Sequence, residues 1–221
     1  MPELALKCIE SWHKYMPDWE YKLWNEDNFD VNSTPYTKEA YESRKFAFVT
    51  DYVRLYALYT EGGVYMDTDV EVLKPYDDLL HLSAFTGYEG TKAKSPVTGT
   101  MASAPGGVWV KEQLDEYEGI HFILPDGTFD LLPNTGRISE VMRKKGFVQN
   151  GLYQIYEDLH VYPVDYFCPR QTTGEVLITD NTYCDHHFMG SWTNQKKPLW
   201  MRIAGPKLSI LLIKLKRKLL G

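Results

Sequence analysis

The sequence predicts an α/β fold with an open sheet, and three observations carry that prediction. Helix-spaced apolar segments alternate with short strand-like runs along the chain. A polar cluster, Asp67-Thr68-Asp69, directly follows one of those runs, at the strand end where open sheets gather ligands. The 221 residues, 43% hydrophobic and 14% aromatic, suffice for one large core and exclude a disordered or collagen-like chain.

Each element has a local reason. Leu4, Cys8, Ile9, Trp12 and Tyr15 recur at helical spacing, and Met16-Pro17-Asp18 ends that helix. Tyr21 to Trp24 alternates as a strand, and the polar stretch 25–32 reads as a loop. A helix is predicted over about 35–43. The clearest one covers about 46–61, with Phe48, Tyr52, Leu55, Tyr56 and Tyr59 as its apolar stripe. Gly62-Gly63 stops it, because glycine tolerates positive φ. Val64-Tyr65-Met66 reads as a short buried strand, and 70–73 as another before Pro75. Strands near 84–88 and 98–103 and helices near 108–117 and 138–145 follow. The last third reads as short strands and loops rich in Tyr, Pro and Gly.

The formal charge of −6 argues against a nucleic-acid binder, which would need a basic face. That charge is uneven. Residues 207–221 carry Lys207, Lys214, Lys216, Arg217 and Lys218 without an acid, a tail of +5 on a body of −11. Gly205-Pro206 marks the boundary, so the expected organisation is a domain over 1–206 and a basic tail over 207–221. Leu208, Leu211, Leu212, Leu215, Leu219 and Leu220 suggest that the tail is an amphipathic helix, lying on an anionic membrane face or docked on its own domain. Cys8, Cys168 and Cys184 are widely spaced, odd in number and without a CxxC pair, which argues against a disulfide framework and a zinc knuckle and fits a reducing compartment. The first residues do not read as a leader, and no run reaches the ~20 apolar residues of a membrane span.

Three clusters offer chemistry. Asp67 and Asp69, at i and i+2, would turn two carboxylates to one side of a strand end, a donor pair suited to Mg²⁺ or Mn²⁺. A solvated strand end is the plainer alternative. Asp51 and Arg54 lie one helical turn apart, either as an exposed ion pair or as a carboxylate and guanidinium aimed at sugar hydroxyls and phosphate oxygens. In Tyr183 to Trp192, His186 and His187 would point to opposite faces of a strand, so at most one easily reaches a given site. Gly190-Ser191-Trp192 adds a flexible backbone, a hydroxyl and an indole N–H suited to phosphate oxygens.

Taken together, Asp51-x-x-Arg54, Gly62-Gly63-Val64-Tyr65-Met66-Asp67-Thr68-Asp69 and His186-His187-x-x-Gly190-Ser191-Trp192 resemble the DXD sugar-transferase family. That family includes bacterial capsular-polysaccharide and lipopolysaccharide glycosyltransferases and yeast α-mannosyltransferases. The Asp51-to-Asp69 spacing is also similar to that of the glucosylating clostridial toxins, and the bacterial polysaccharide branch resembles the chain most. The resemblance implies a GT-A fold, a Rossmann-like domain binding a UDP- or GDP-sugar with Mn²⁺ or Mg²⁺ and transferring the sugar with retention to a glycan or lipid-linked glycan. It implies Asp69 as direct metal ligand, with Asp67 on the ribose or sugar and on the metal partly through water. Asp51, Arg54 and Tyr65 would hold the donor sugar, and Ser191 and Trp192 the diphosphate. His186 or His187, with His186 favoured, would complete the metal or diphosphate shell. Asn134, in a turn over 133–136, is an acceptor-side candidate. A cytoplasmic enzyme, peripheral at the inner face of the plasma membrane, fits these expectations.

Two departures from the family pattern stand out. The resemblance implies a central strand before the first helix, whereas Met1-Pro2-Glu3 leads almost directly into that helix, so the expectation is that the given sequence starts after the family's first strand. Asp185 is charged where a small or apolar residue is expected, either as an extra ligand or as a solvated side chain, with the solvated reading favoured. The rival readings are a haloacid-dehalogenase-like phosphohydrolase, whose Asp-x-Asp usually continues to Thr rather than to Val70 and Glu71, and an inactive nucleotide-sugar-binding relic.

Overall fold

Helix α1 (Glu3–Tyr15) buries Cys8 and Trp12 completely, as their spacing predicts. Two long-range hydrogen bonds fix it in place: Trp12 Nε1 donates to Val70 O at 2.6 Å, and Val72 N donates to Ser11 Oγ at 2.8 Å. The computed structural model describes residues 1–90, 95–97, 99–170 and 174–189, and the backbone alone of 210–215. Most predicted elements are present: strand β1 (Trp19–Trp24) and helices α2 (Pro35–Glu42) and α3 (Phe46–Glu61), then strands β2 (Gly63–Met66), β3 (Val70–Val72), β4 (Ala84–Gly87) and β5 (Thr100–Ser103). Helices α4 (Val108–Asp115) and α5 (Asn134–Lys144), strands β6 (Gln154–Tyr156) and β7 (Leu159–Tyr162), helix α6 (Val164–Phe167) and strand β8 (Cys184–His186) follow.

A central sheet runs β1, β9, β2, β5, β4, β7, β6, where β9 is Ile210–Leu215. Among the described strands only β4 and β7 pair in parallel, so the sheet is mixed, and β3 with β8 forms a separate two-stranded sheet. This is a mixed α/β domain consistent with a GT-A-like glycosyltransferase. Period-2 alternation sends neighbouring residues to opposite faces. Tyr65, Ala84 and Met101 join one apolar cluster, together with residues of α3, while Val64, Met66, Phe85 and Ala102 join another with Trp12. Strands buried on both faces need uninterrupted apolar runs, which is why Val64-Tyr65-Met66 does not alternate with polar residues. Helix α3 is likewise buried beyond its predicted stripe, since Val49, Val53, Ala57 and Leu58 are inaccessible too.

The C-terminal expectation needs correction. Residues 210–215 do not form part of an amphipathic helix; they are a strand within the domain sheet, antiparallel to both β1 and β2. Without it, β1 and β2 would each present an unpaired edge. An apolar segment that satisfies two edges at once gains more than a partly charged helix would. The rest of the tail lies outside the described residues. No helix among the described residues is long and apolar enough to cross a membrane. The three cysteines are free and buried.

Gly62 closes α3 at φ +65, donating its N–H to Leu58 O at 2.9 Å. A Cβ there would lie 2.5 Å from Pro105 Cδ. Gly62→Ala therefore combines left-handed strain with a backbone clash and is expected to destabilise by roughly 2–4 kcal/mol. Urea unfolding would show this as a lower midpoint at unchanged slope; a shift below about 0.5 kcal/mol would mean the helix end re-forms without glycine.

Candidate active site

Asp67 and Asp69 do not sit on the strand itself. They occupy the turn joining β2 to β3, which Val70 N closes by donating to Asp67 O at 3.0 Å. The two carboxylates converge through that turn rather than through strand alternation. Asp67 N donates to Gly99 O at 2.8 Å, which ties the turn to the residue just before β5. Asp69 is held from the other side, because its backbone oxygen accepts His187 N at 3.0 Å and its Oδ2 accepts Met189 N at 2.7 Å.

Strand β8 pairs with β3 so that His186 lies opposite Val70 and Asp185 opposite Glu71. The two histidines separate as their adjacency predicts. His186 is nine-tenths buried and turns toward the acids, with Nε2 3.4 Å from Asp69 Oδ1 and 3.8 Å from Asp67 Oδ2. His187 points the other way and bonds Glu71 through Nε2 at 2.9 Å, so it does not join the acid pair. Asp185, expected to be solvated, is only 6% exposed. Arg170 clamps it through two hydrogen bonds, Nε to Oδ1 at 3.1 Å and Nη2 to Oδ2 at 2.5 Å. The fork-to-fork geometry replaces water around a buried carboxylate.

Asp67, Asp69 and His186 could hold a metal ion, since they offer one ligand atom each and these atoms lie within 4.8 Å of one another. Two carboxylates and an imidazole suit Mn²⁺ or Mg²⁺. The local packing fits such an ion. A Cβ on Gly99 would stand 2.9 Å from Asp67 Oδ2 and 3.1 Å from His186 Cε1, so only glycine leaves that space open. Burial alone would raise the Asp69 carboxyl, but the bond and charge of His186, with the Met189 amide, hold it below the usual range. Burial opposes the charge on His186; Asp69, Cys168, Glu89 and Asp67 outweigh it and push the imidazole well above its ordinary value.

Beside these acids, Asp51 and Arg54 form a buried pair rather than an exposed one. Arg54 Nη2 lies 3.0 Å from Asp51 Oδ1, and their side chains are 12% and 13% exposed. Arg54 also stands 3.4 Å from Asp67 Oδ1 through Nη1 and packs 4.6 Å over the Tyr65 ring. The Tyr65 hydroxyl donates to Asp67 Oδ1 in a short bond. Asn134 is not in a free turn but opens helix α5, buried, its N–H donating to Asp51 Oδ2 at 3.0 Å and its Nδ2 to Asp51 O at 2.9 Å. A carboxylate at a helix N-terminus satisfies an otherwise free N–H and meets the favourable end of the dipole.

Burial pushes the Asp51 carboxyl up to about 6, against the pull of Arg54 and the Asn134 amide. An acid raised in the folded state contributes stability below its unfolded pKa of about 3.8, and that contribution is lost as pH rises through about 6. Measured against Asp51→Asn, the wild-type chain is expected to lose on the order of 3 kcal/mol between pH 4 and pH 7. Urea unfolding of both proteins across that range checks it; a pH-independent difference would contradict it.

Asp51, Arg54, Tyr65, Asp67, Asp69, Asn134 and His186 thus meet in one continuous cluster, and His187 stays outside it. Ser191 and Trp192 lie outside the described residues. Sequence reading missed Glu89, Gly99, Cys168 and Met189, all of which lie around the histidine or the acids. Met189 follows His186 by three residues in the same segment, whereas Glu89, Gly99 and Cys168 share no local motif with it and only the fold brings them there.

Residues 2–86 match the family described as "Glycosyltransferase sugar-binding region containing DXD motif". The family resemblance drawn from the motifs is borne out over that segment. Among curated proteins, inositol phosphoceramide mannosyltransferase 3 of Schizosaccharomyces pombe is 36% identical over 89 residues, covering 38% of this chain and 25% of that protein. Glucan organizing enzyme 1 of Cryptococcus neoformans is 32% identical over 83 residues, covering 34% of this chain and 23% of its own length. Inositol phosphoceramide mannosyltransferase 1 of S. pombe is 30% identical over 96 residues, covering 38% and 29%. The chain thus spans about a quarter of the length of the curated relatives it matches. These relatives are fungal and do not bear out the bacterial branch. No solved structure gives a significant match.

Proposed function

We propose that this domain is a retaining glycosyltransferase that binds a nucleotide-diphosphate sugar through Mn²⁺ or Mg²⁺ and transfers the sugar to a glycan or lipid-linked glycan. The observation that carries this reading is the convergence of Asp67, Asp69 and His186 beside the buried Asp51–Arg54 pair. Asp69 and His186, with Asp67, would hold the ion. When bound, that ion supplies Lewis-acid stabilisation of the charge that builds on the departing diphosphate.

The chain's own groups do the rest. Arg54 presents fixed donors, pre-oriented by Asp51 and Asp67, where negative charge develops. Asp51 fixes the start of α5, so Asn134 stands in a set position for the acceptor side. In the transfer, the bond from the anomeric carbon to the phosphate oxygen breaks as the acceptor oxygen bonds to the same face of that carbon. The acceptor proton goes to the departing phosphate oxygen. Ser191 and Trp192 would contact the diphosphate.

The names of the two fission-yeast relatives favour mannose as the sugar and a lipid-linked acceptor. GDP-mannose is therefore the first donor to try, ahead of UDP-sugars. A lipid-linked acceptor also favours an enzyme at the cytoplasmic face of a membrane, with Lys207, Lys216, Arg217 and Lys218, which flank the strand at 210–215, meeting anionic headgroups. Capsular or lipopolysaccharide synthesis is the corresponding bacterial pathway class.

A thermal-shift panel of GDP-mannose and UDP-sugars, with and without Mn²⁺, tests the reading. A matching donor at about a hundred times its Kd is expected to raise the melting temperature by roughly 5–10 °C, and only with the metal. No metal-dependent shift with any nucleotide sugar would overturn it. Binding without turnover would favour a relic, and hydrolysis of simple phosphate esters would favour a phosphohydrolase.

A further inference from the structure

We infer that Glu89 is a positioning residue that fixes the tautomer and ring orientation of His186; this rests on the metal reading of Asp67, Asp69 and His186 above. His186 has two distinct ring nitrogens facing two distinct groups. Nε2 faces the Asp67 and Asp69 carboxylates, whereas Nδ1 faces Glu89 Oε2 at 3.3 Å. Nδ1 is buried and makes no hydrogen bond of normal geometry there. A buried polar nitrogen without a partner is costly, and the carboxylate 3.3 Å away is the acceptor to relieve it.

The surroundings let the ring turn toward that acceptor while confining it otherwise. Phe188 lies over the imidazole with ring centroids 4.2 Å apart. Phe188 holds a left-handed backbone, φ +51, a strained conformation for a bulky residue and one that recurs at functional sites. On the Nδ1 edge, a Cβ at Gly99 would come within 3.2 Å of Nδ1, so glycine keeps that edge clear. Glu89 itself is set by its backbone, donating N–H to Ser95 O at 2.9 Å and accepting Ser95 N at 3.2 Å. With the proton held on Nδ1 and donated to Glu89, the Nε2 lone pair is left facing Asp67 and Asp69. A carboxylate behind a ligating histidine sets both its tautomer and its basicity.

The same neighbourhood contains a rival grouping, Glu89, Cys168 and His186, whose ligand atoms also lie within 4.8 Å of one another. A metal on that side would use the Nδ1 lone pair instead. The test titrates the full chain with MnCl₂ and reads free Mn²⁺ by electron paramagnetic resonance. Glu89→Gln, which preserves side-chain volume, is expected to weaken Mn²⁺ binding about 10- to 100-fold with metal-free melting unchanged. Cys168→Ser is expected to leave the affinity within about twofold. In wild-type protein saturated with Mg²⁺, the imidazole ¹⁵N shifts of His186 are expected to show the proton on Nδ1.

Wild-type affinity in Glu89→Gln overturns the inference, as does a loss in Cys168→Ser equal to that in Glu89→Gln, or a proton found on Nε2. Asp69→Asn in the same titration separates the two levels of argument. If it loses Mn²⁺ while Glu89→Gln does not, only the role of Glu89 fails. If it keeps Mn²⁺, the metal reading fails with it.

Discussion

Asp69→Asn is expected to lower kcat/KM for metal-dependent turnover of any nucleotide-sugar donor by about 10³-fold or more, while the chain stays folded. Lewis-acid stabilisation of a departing diphosphate contributes several kcal/mol, and each 1.36 kcal/mol is about tenfold in rate. Asp69 is the acid on which the His186 imidazole and the Met189 amide converge. Its Oδ1 faces His186 at 3.4 Å, and its Oδ2 accepts the Met189 amide at 2.7 Å. Asparagine keeps the shape and an oxygen for the amide, so the backbone strap can persist. What it removes is the negative charge. Steady-state turnover of each donor with Mn²⁺, together with the melting temperature of the variant, checks the expectation. Wild-type activity in a metal-dependent assay would remove Asp69 from the site.

Arg54→Met should be among the most destabilising single changes in the chain, at about 3–5 kcal/mol. The guanidinium stands between two acids, 3.0 Å from Asp51 and 3.4 Å from Asp67, and stacks on Tyr65. Burial disfavours its charge, but Tyr65, Asp67 and Asp51 outweigh that and raise its pKa further. Removing it leaves the Asp51 carboxyl buried without the counter-ion that pulls against its desolvation. Methionine fills much of the space, so the loss is electrostatic rather than a cavity. The double variant Asp51→Asn/Arg54→Met should recover a large part of the stability, and a double-mutant cycle in urea measures that coupling. Additive single effects would show that the pair does not act as a unit.

Local patterning carried the elements whose residues interact with near neighbours. The helices at Glu3–Tyr15 and Phe46–Glu61 and the strand at Gly63–Met66 follow from spacing and from the glycine stop, because period and capping are properties of a short segment. The candidate site was legible to the same depth. Asp51, Arg54, Tyr65, Asp67 and Asp69 fall within 19 residues, and the strand rule separated His186 from His187. Asn134 was read as turn chemistry, since Pro-Asn-Thr-Gly favours a turn when its partner is unknown. Its partner is Asp51, 83 residues away, and that contact makes it a helix start. Asp185 was assigned to solvent by its charge, and Arg170 reverses that through a contact 15 residues away.

The C-terminal segment shows the same limit most clearly. Leucines and lysines at 207–221 satisfy a helical pattern as well as a strand, and nothing local chooses between them. The choice at 210–215 belongs to β1 and β2, whose edges that strand joins. The sequence by itself determined the α/β class, the main helices and the place of the two acids just after Gly63–Met66, because each depends on residues close in the chain. Only the tertiary structure decided which face His186 meets, what buries Asp51 and Asp185, and where residues 210–215 go. Burial, pairing and backbone satisfaction depend on partners tens to more than a hundred residues away, and no local pattern encodes them.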